Sequence, residues 1–494
     1  MENGKLKMGN WLITTNNLTV DINEIPTLDI AELRQEIIDM KKRVVGFFGK
    51  REWNGVRLFV TLADDAQGKL YVSSAFFDNN GAKEYDSITQ VIPAFHMFER
   101  EFYEEYGIKP LNHPWLKPVR DHKTEYPFFE VEGEEVHQVG VGPIHAGVIE
   151  PGHFRFMCNG EKVYDLEIRL GYQSRGVEEL LVNSPSNQLA ESICGDSVIA
   201  YNLAYSRAVE ALKGIKVSNK AEIIRLIALE MERCAIHIGD LGAIAGDVAY
   251  LMGASIFGVT RTLVINTMLE ICGSRFGRGL VTVGGVNFDI TEEFAKEKMI
   301  PMLNKVLADV KRTFGVMVKS PTVISRLERT GVVSNANALD LGLVGMAAKA
   351  SGVELDSRFD FPEKWLEGIE DKKITATGDV YSRTRVRYKE VLQSIFIIKQ
   401  LLKKLPQYKD EPLCVGDDCG YKANSFVVSI TEGWRGEVVH TVMTDENGSL
   451  SRYKVKDPSF NNWYGLAMAV RNNGISDFPL CNKSFNLSYC GNDL

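Results

Sequence analysis

The segment from Lys220 to Ala249 constrains the fold most. Across it Ile223, Ile224, Ile227, Met231 and Cys234 recur at helical spacing. A helix of that length runs about 45 Å, and so long an apolar stripe needs other long helices to cover it. The chain supplies them. Ala190–Gly214, Pro301–Val318 (its proline acceptable in a first turn) and Val386–Leu405, with Ile395, Ile397, Ile398 and Leu401, all read as helices. The pattern predicts a mainly helical bundle, with short strands from about residue 138. Glu230, Arg233 and His237 share one face of the longest helix by i, i+3, i+7 geometry. Inside such a stripe they make either a satisfied polar network or a charged path.

An N-terminal unit precedes the bundle. Ile30 to Val45 reads as an amphipathic helix, Val56–Leu62 and Lys69–Phe77 as strands, and Asp64–Gly68 as the hairpin between them. Pro93 to Ile108 reads as a further helix, with Glu99, Glu101, Glu104 and Glu105 on a solvated face. The acidic, turn-prone residues 124–137 suit a boundary. The fold class is therefore α+β, with one unit at residues 1–130 and a second, mainly α, at 131–494.

At 494 residues, 45% apolar, 25% charged and net charge −8, the chain has the composition of a soluble globular protein. It has no general attraction to nucleic acid or anionic lipid. No apolar run approaches the ~20 residues of a membrane span. The best candidate, Val248 to Val259, is flanked by Asp247 and Arg261, and the N-terminus lacks a signal-peptide core. Eight cysteines without a regular framework point to reduced cytosolic thiols, including Cys414, Cys419 and Cys481. No Gly-x-Gly-x-x-Gly stands between a strand and a helix, so no dinucleotide site is expected.

Several strings carry more specific information. Ser192-Ile193-Cys194-Gly195-Asp196-Ser197 is a Cys-x-x-Cys site without its second thiol. Gly142–Phe156, Arg175-Gly176-Val177-Glu178, Val283-Gly284-Gly285-Val286, Arg435-Gly436-Glu437 and Asn461-Asn462-Trp463 surround it in sequence. In that order they resemble the large subunit of group 4, formate-hydrogenlyase-type NiFe-hydrogenases and its relative, the forty-nine-kilodalton quinone-site subunit of respiratory complex I. The Pro93–Pro118 string resembles the thirty-kilodalton subunit of complex I. The resemblance implies an α/β domain like the thirty-kilodalton subunit, fused to a domain like the hydrogenase large subunit or the quinone-site subunit. The helix within Pro93–Ile108 would dock on the larger domain.

A nickel–iron centre needs four polarizable thiolates, and the resemblance places them at Cys194, Ser197, Ser488 and Gly491. One of these is still a cysteine, and Cys490 lies one place out of register. A standard centre is not expected. Cys194 and Cys490 are either ordinary buried cysteines or a two-thiolate site that holds a metal, forms a disulfide or handles sulfur-based substrates. Tyr201 stands where the motif usually has His.

Other family positions persist. Arg435 matches the arginine over the open metal position, or else forms an ordinary ion pair with Glu178 or Asp356. Glu150 matches a proton-passing glutamate, or else is a capping carboxylate. Glu230, Arg233 and His237 match the charged path that links redox chemistry to proton pumping. The quinone-binding tyrosine of the complex I subunit falls at about Gly195, and His153 is not its histidine, so a quinone head-group site is not supported residue by residue.

The resemblance implies a peripheral subunit of a membrane-bound oxidoreductase on the cytoplasmic side of the membrane. One partner would be a hydrogenase small subunit, like the twenty-kilodalton iron–sulfur protein of complex I, carrying a 4Fe–4S cluster. Antiporter-like membrane subunits would be the others. This chain itself would hold no cofactor firmly. The alternatives are a structural coupling subunit, an active hydrogenase or a quinone-reducing subunit.

Overall fold

The computed structural model describes residues 7–81, 83–144, 150–369, 375–416 and 419–494. Residues 145–149 of the first hairpin string lie outside them. The N-terminal unit comprises strands Trp11–Thr14 (β1) and Val20–Asp21 (β2), helix Ile30–Met40 (α1), strands Arg43–Glu52 (β3), Gly55–Asp64 (β4) and Lys69–Asp78 (β5), and helix His96–Tyr106 (α2). The helix expected over Ile30–Val45 stops at Met40. Lys41 is left-handed (φ 50°), and the β-branched pair Val44-Val45 belongs to β3. Within a six-stranded sheet the longer strands run β1–β5–β4–β3 with antiparallel neighbours, and the short strand Thr27–Leu28 pairs in parallel with β5. Phe47 faces Val60 and Phe48 faces Phe59 across it. The two-residue period sends Phe47, Leu58 and Val60 to one side, under Leu33 and Ile37 of α1 and Phe98 and Phe102 of α2. Val45, Phe48 and Phe59 go to the other.

Half of the acidic face of α2 is buried, contrary to expectation, while Glu104 is exposed as expected. Glu99 is fully buried and accepts from Ser87 Oγ (2.6 Å), Ile88 N (2.8 Å), Thr89 N (3.0 Å) and Thr89 Oγ1 (2.5 Å). Glu101 is buried between Arg120 and Lys454, the latter at 2.7 Å from the larger unit. Glu104 accepts backbone N–H groups of residues 119–121. Sequence spacing shows which residues share a face but not what covers it.

The second unit opens with a three-stranded antiparallel sheet, Val136–Val141 (β6), His153–Asn159 (β7) and Lys162–Arg169 (β8). Helices Asn187–Ser192 (α3), Val198–Lys213 (α4), Asn219–Asp247 (α5), Leu251–Cys272 (α6), Ile300–Met317 (α7) and Val380–Lys404 (α8) follow. Strands Ser425–Glu432 (β9), Glu437–Thr444 (β10) and Leu450–Lys456 (β11) and the terminal helix Tyr489–Asp493 (α9) complete it. Ser218 caps α5 through the Ala221 N–H at 3.1 Å. α5 packs along both α6 and α8 and is buried on nearly every side.

Two expectations change here. The helix read over Ala190–Gly214 is two helices, interrupted at residues 193–197. Arg175 takes the carbonyls of Ser192 (2.8 Å) and Ile193 (2.9 Å), and Gly195, Asp196 and Ser197 favour non-helical backbone. From Leu251 on, the apolar stretch Val248–Val259 is the beginning of a longer helix, while Val248 ends the one before it. α6 has 22 residues and a mean hydropathy of 1.2 in its most apolar window, so by length and composition it is long and apolar enough to cross a membrane. It also carries Arg261 and Glu270.

The two units share a core. β2 extends the C-terminal sheet, ordered β11–β10–β9–β2, and Phe426 pairs with Val20. Phe59 stacks on Phe426 at 6.1 Å, among Val428, Val439 and Met443. Arg43 bridges the seam to Glu437 at 2.6 Å. Replacing Glu99 with Ala strands a set of buried donors, and should lower the stability of the protein by roughly 3 kcal/mol, read as a lower urea midpoint. An unchanged midpoint would mean that the carboxylate does not organise the Ser87–Thr89 turn.

Candidate functional site

The interruption between α3 and α4 brings Cys194 to the first turn of α9. Cys194 Sγ lies 3.3 Å from Ser488 Oγ, which lies 3.5 Å from Cys490 Sγ, so one hydroxyl bridges the two thiols. Cys194 also donates to Asp196 Oδ1 at 3.1 Å. Arg435 grips the Asp196 carboxylate with both terminal nitrogens (2.7 and 2.8 Å) and reaches Cys194 Sγ at 3.5 Å. Its own plane rests on Trp434 at 3.8 Å, and Trp434 Nε1 donates to the Asp196 carbonyl at 2.9 Å. The Cys194 thiol is pushed well above its ordinary range. The neighbouring Cys490 thiol contributes most, then burial and the Asp196 charge, while Arg435 pulls the other way.

Each expected residue can now be located. Cys194, Cys490, Ser488 and Arg435 converge. The ion-pair partner of Arg435 is Asp196, neither Glu178 nor Asp356. Glu178 pairs with Lys454 at 3.1 Å and Asp356 with Arg358 at 2.6 Å. Glu150 is half-buried and accepts the Cys490 N–H at 3.1 Å, so it caps α9.

A four-thiolate nickel–iron site does not fit these residues. Ser197 Oγ turns to Glu232 at 3.5 Å. Ser488 Oγ caps α9 through the Gly491 N–H at 2.9 Å. The space beside Gly491 is filled, because a Cβ there would stand 2.4 Å from Asp457 Oδ2 and 2.9 Å from Ser488 Oγ. Asp457 is held in turn by the Tyr201 hydroxyl. Among the described residues no three His, Cys, Asp or Glu side chains form a metal-ligand cluster.

An ionic chain runs from this pocket into the bundle. Arg435 Nε donates to the Asn486 carbonyl at 2.5 Å, and Asn486 Nδ2 to Asp240 Oδ1 at 2.7 Å. Asp240 Oδ2 lies 2.6 Å from Arg387 Nη1, which stands 3.1 Å from His237 Nδ1. His237 Nε2 faces Glu390 Oε2 at 2.8 Å. These contacts fix a neutral imidazole that accepts from Arg387 and donates to Glu390. Beyond Glu390 come Lys349 (2.9 Å), Asp356 (2.5 Å from Lys349), Arg358 and, at 3.0 Å from Arg358, Glu230. Arg233 lies between Glu230 (3.4 Å) and Glu390 (3.2 Å). Glu230, Arg233 and His237 therefore belong to one contact network, linked through Glu390 and Arg358 on other elements.

Burial sets the protonation states along the chain. It lowers His237 to about 4, with the Glu390 hydrogen bond opposing, and raises Asp240 to about 6 against Arg387. Glu432, whose Oε2 accepts from Ser357 N (3.0 Å) and Oγ (2.7 Å), is raised to about 8 by burial and then by Asp356.

Comparison with known proteins shows the family. Residues 42–128 match the respiratory-chain NADH dehydrogenase 30 kDa subunit and residues 247–424 its 49 kDa subunit. The membrane-bound hydrogenase subunit alpha of Pyrococcus furiosus is 30% identical, over 69% of this chain and 83% of that one. The chain belongs to the family of complex I 49 kDa subunits and membrane-bound hydrogenase large subunits. Hydrogenase-4 component G of Escherichia coli strain K12 is 28% identical over 96% of this chain and 87% of its own length, so this family member resembles it in both units. An archaeal membrane-bound sulfane sulfur reductase shares the fold, with a TM-score of 0.67 and 21% identity over 75% of this chain and all of that one.

Sequence reading missed Asp196, Asp240, Arg387, Glu390, Lys349, Arg358 and Asp457. Asp196 was visible between Cys194 and Ser197. Arg387 and Glu390 stand at i, i+3 on α8, but nothing in one sequence pairs them with α5.

Two outcomes follow from this geometry. Gly491→Ala should cost about 1–3 kcal/mol of stability, and restoring thiols at Ser197, Ser488 and Gly491 together should leave the purified protein without nickel by elemental analysis. Glu432 keeps its proton to about pH 8 when folded but releases it near 4.5 when unfolded. The folded state therefore binds more protons between those values, and this contribution to stability falls as pH rises through them. Glu432→Gln should flatten the urea-midpoint profile across that window, and an unaltered slope would refute the assignment.

Proposed function

We propose that this chain is the large subunit of the redox arm of a membrane-bound oxidoreductase that couples electron transfer to ion translocation, working without a nickel–iron centre. The observation that carries the reading is the buried polar network that runs from Asp196 and Arg435 through Asn486 to Asp240, Arg387, His237 and Glu390, and on through Arg233 to Glu230. Family membership supports the setting. The relatives include a membrane-bound hydrogenase subunit and NADH-quinone oxidoreductase subunits. The partner is a small subunit bearing a 4Fe–4S cluster, and the complex sits on the cytoplasmic face of the membrane, held by its membrane subunits.

The chain's own residues hold and pass protons. Arg387 is shared between Asp240 and His237, so a proton on Asp240 weakens one hold on the guanidinium and turns it toward the imidazole. His237, with Glu390 as hydrogen-bond partner, hands the change on to Lys349 and Arg233. Glu150 and Arg435 act at the pocket end: the first fixes Cys490 and the second balances charge at Cys194.

A structural coupling role without chemistry is the second reading. The absorption of Ser197, Ser488 and Gly491 into ordinary packing favours it.

The test is the purified complex in proteoliposomes, with electron transfer and ion uptake measured together. Asp240→Asn should cut ion uptake at least tenfold while electron transfer falls less than threefold. Unchanged uptake would overturn the coupling reading. Absence of any electron transfer in the wild-type complex would favour the structural one.

A further inference from the structure

Of the eight cysteines, Cys158, Cys234, Cys272 and Cys481 are buried apart from one another, and Cys414 and Cys419 are exposed. Cys234 and Cys272 direct their thiols at backbone carbonyls, of Val391 (3.8 Å) and Met268 (3.4 Å). Cys194 and Cys490 differ, because both thiols lie within 3.5 Å of one hydroxyl, that of Ser488.

The backbone around each sulfur suits a change of partner. Cys194 lies in the interruption between α3 and α4, outside any helical hydrogen-bond ladder. Cys490 is in the first turn of α9, its N–H held by Glu150 and its carbonyl by Arg175 at 3.2 Å. Beside Cys194 stand a proton acceptor, Asp196 at 3.1 Å, and a cation, Arg435 at 3.5 Å. Oxidation of a thiol must remove its proton, and Asp196 stands where it can accept the one on Cys194. A metal finds less here: two sulfurs and one hydroxyl fall short of four donors.

We propose that Cys194 and Cys490 form a two-electron dithiol–disulfide couple. The inference rests on the redox-arm reading above and names what its pocket stores. On oxidation both S–H bonds break and one S–S bond forms, with release of two protons and two electrons. The Cys194 proton leaves through Asp196, whose side chain is 40% exposed and passes it to water. The electrons depart singly to an iron–sulfur carrier on the neighbouring subunit, and reduction runs the same steps backward.

The intact complex is equilibrated in glutathione or dithiothreitol buffers of graded potential, quenched in acid, alkylated and mapped by mass spectrometry. A peptide linking Cys194 to Cys490 should appear reversibly, with a tenfold change in oxidised-to-reduced ratio for each ~30 mV. It should vanish in Cys490→Ser. Free, alkylated Cys194 and Cys490 at every potential would overturn the couple, as would a link confined to Cys414 and Cys419. Protection of both thiols without a link, relieved by a chelator, would assign the pair to a metal and also overturn it. The wild-type titration needs neither turnover nor a variant that folds. Failure here with intact Asp240-dependent uptake removes the couple alone. A clean disulfide titration with unaffected uptake in Asp240→Asn removes the coupling reading alone.

Discussion

Everything in the larger unit depends on how α5 and α8 bury charge. Arg233, Arg358, Arg387, Lys349 and Arg435 are matched by Glu230, Asp356, Asp240, Glu390 and Asp196, in contacts of 3.4 Å or less. An isolated buried ion costs several kcal/mol after relaxation. An apolar bundle tolerates this many ions only because each has a partner of opposite sign. Apolar residues of the same volume would hold the helices together as well. Packing alone therefore does not explain why the bundle carries these ions, and the chain's continuity with the Cys194 pocket supplies a reason.

The pocket shows how serine and glycine are packed, without a void, at positions where the resemblance places thiolates. Cysteine-to-serine replacement keeps the volume nearly constant but exchanges a polarizable sulfur for a hydroxyl that must be hydrogen-bonded. Ser197 and Ser488 find partners in Glu232 and in the N–H of Gly491. At Gly491 the side chain is gone altogether, and Asp457, tethered by Tyr201, occupies the space. Burial raises the Asp457 carboxyl above its ordinary range even as Arg435 and Tyr201 lower it. The same Arg435 thus serves both sides of the pocket.

Local periodicity made α5, the β4–β5 hairpin and the shared face of Glu230, Arg233 and His237 legible from sequence. The helix read over Ala190–Gly214 failed because what breaks it is tertiary: the Arg175 side chain removes two carbonyls from the ladder. The acidic face of α2 misled for the same reason, since burial of Glu99 is decided by the Ser87–Thr89 turn and that of Glu101 by Lys454. Resemblance located Arg435 and Glu150 but not their partners. Asp196 was two residues from Cys194 and still invisible as a partner, because a carboxylate next to a thiol in sequence has no fixed direction outside a helix.

Why a thiol pair and a distant histidine belong to one device is a matter of electrostatic reach. Two unit charges 4 Å apart interact by about 4 kcal/mol at an effective dielectric constant of 20, several times thermal energy. The ion pairs Asp196–Arg435 and Asp240–Arg387 are shorter than that, and neutral Asn486 and His237 join the charged groups by hydrogen bonds of 3.1 Å or less. Because the chain is paired throughout, it has no spare counter-charge to absorb a proton or electron arriving at one end. The disturbance is relieved when the shared groups change sides: Arg387 between Asp240 and His237, then Glu390 between His237, Lys349 and Arg233. A surface pair would lose the signal to water and salt. Burial, which makes the chain expensive to keep, is also what lets it carry the change.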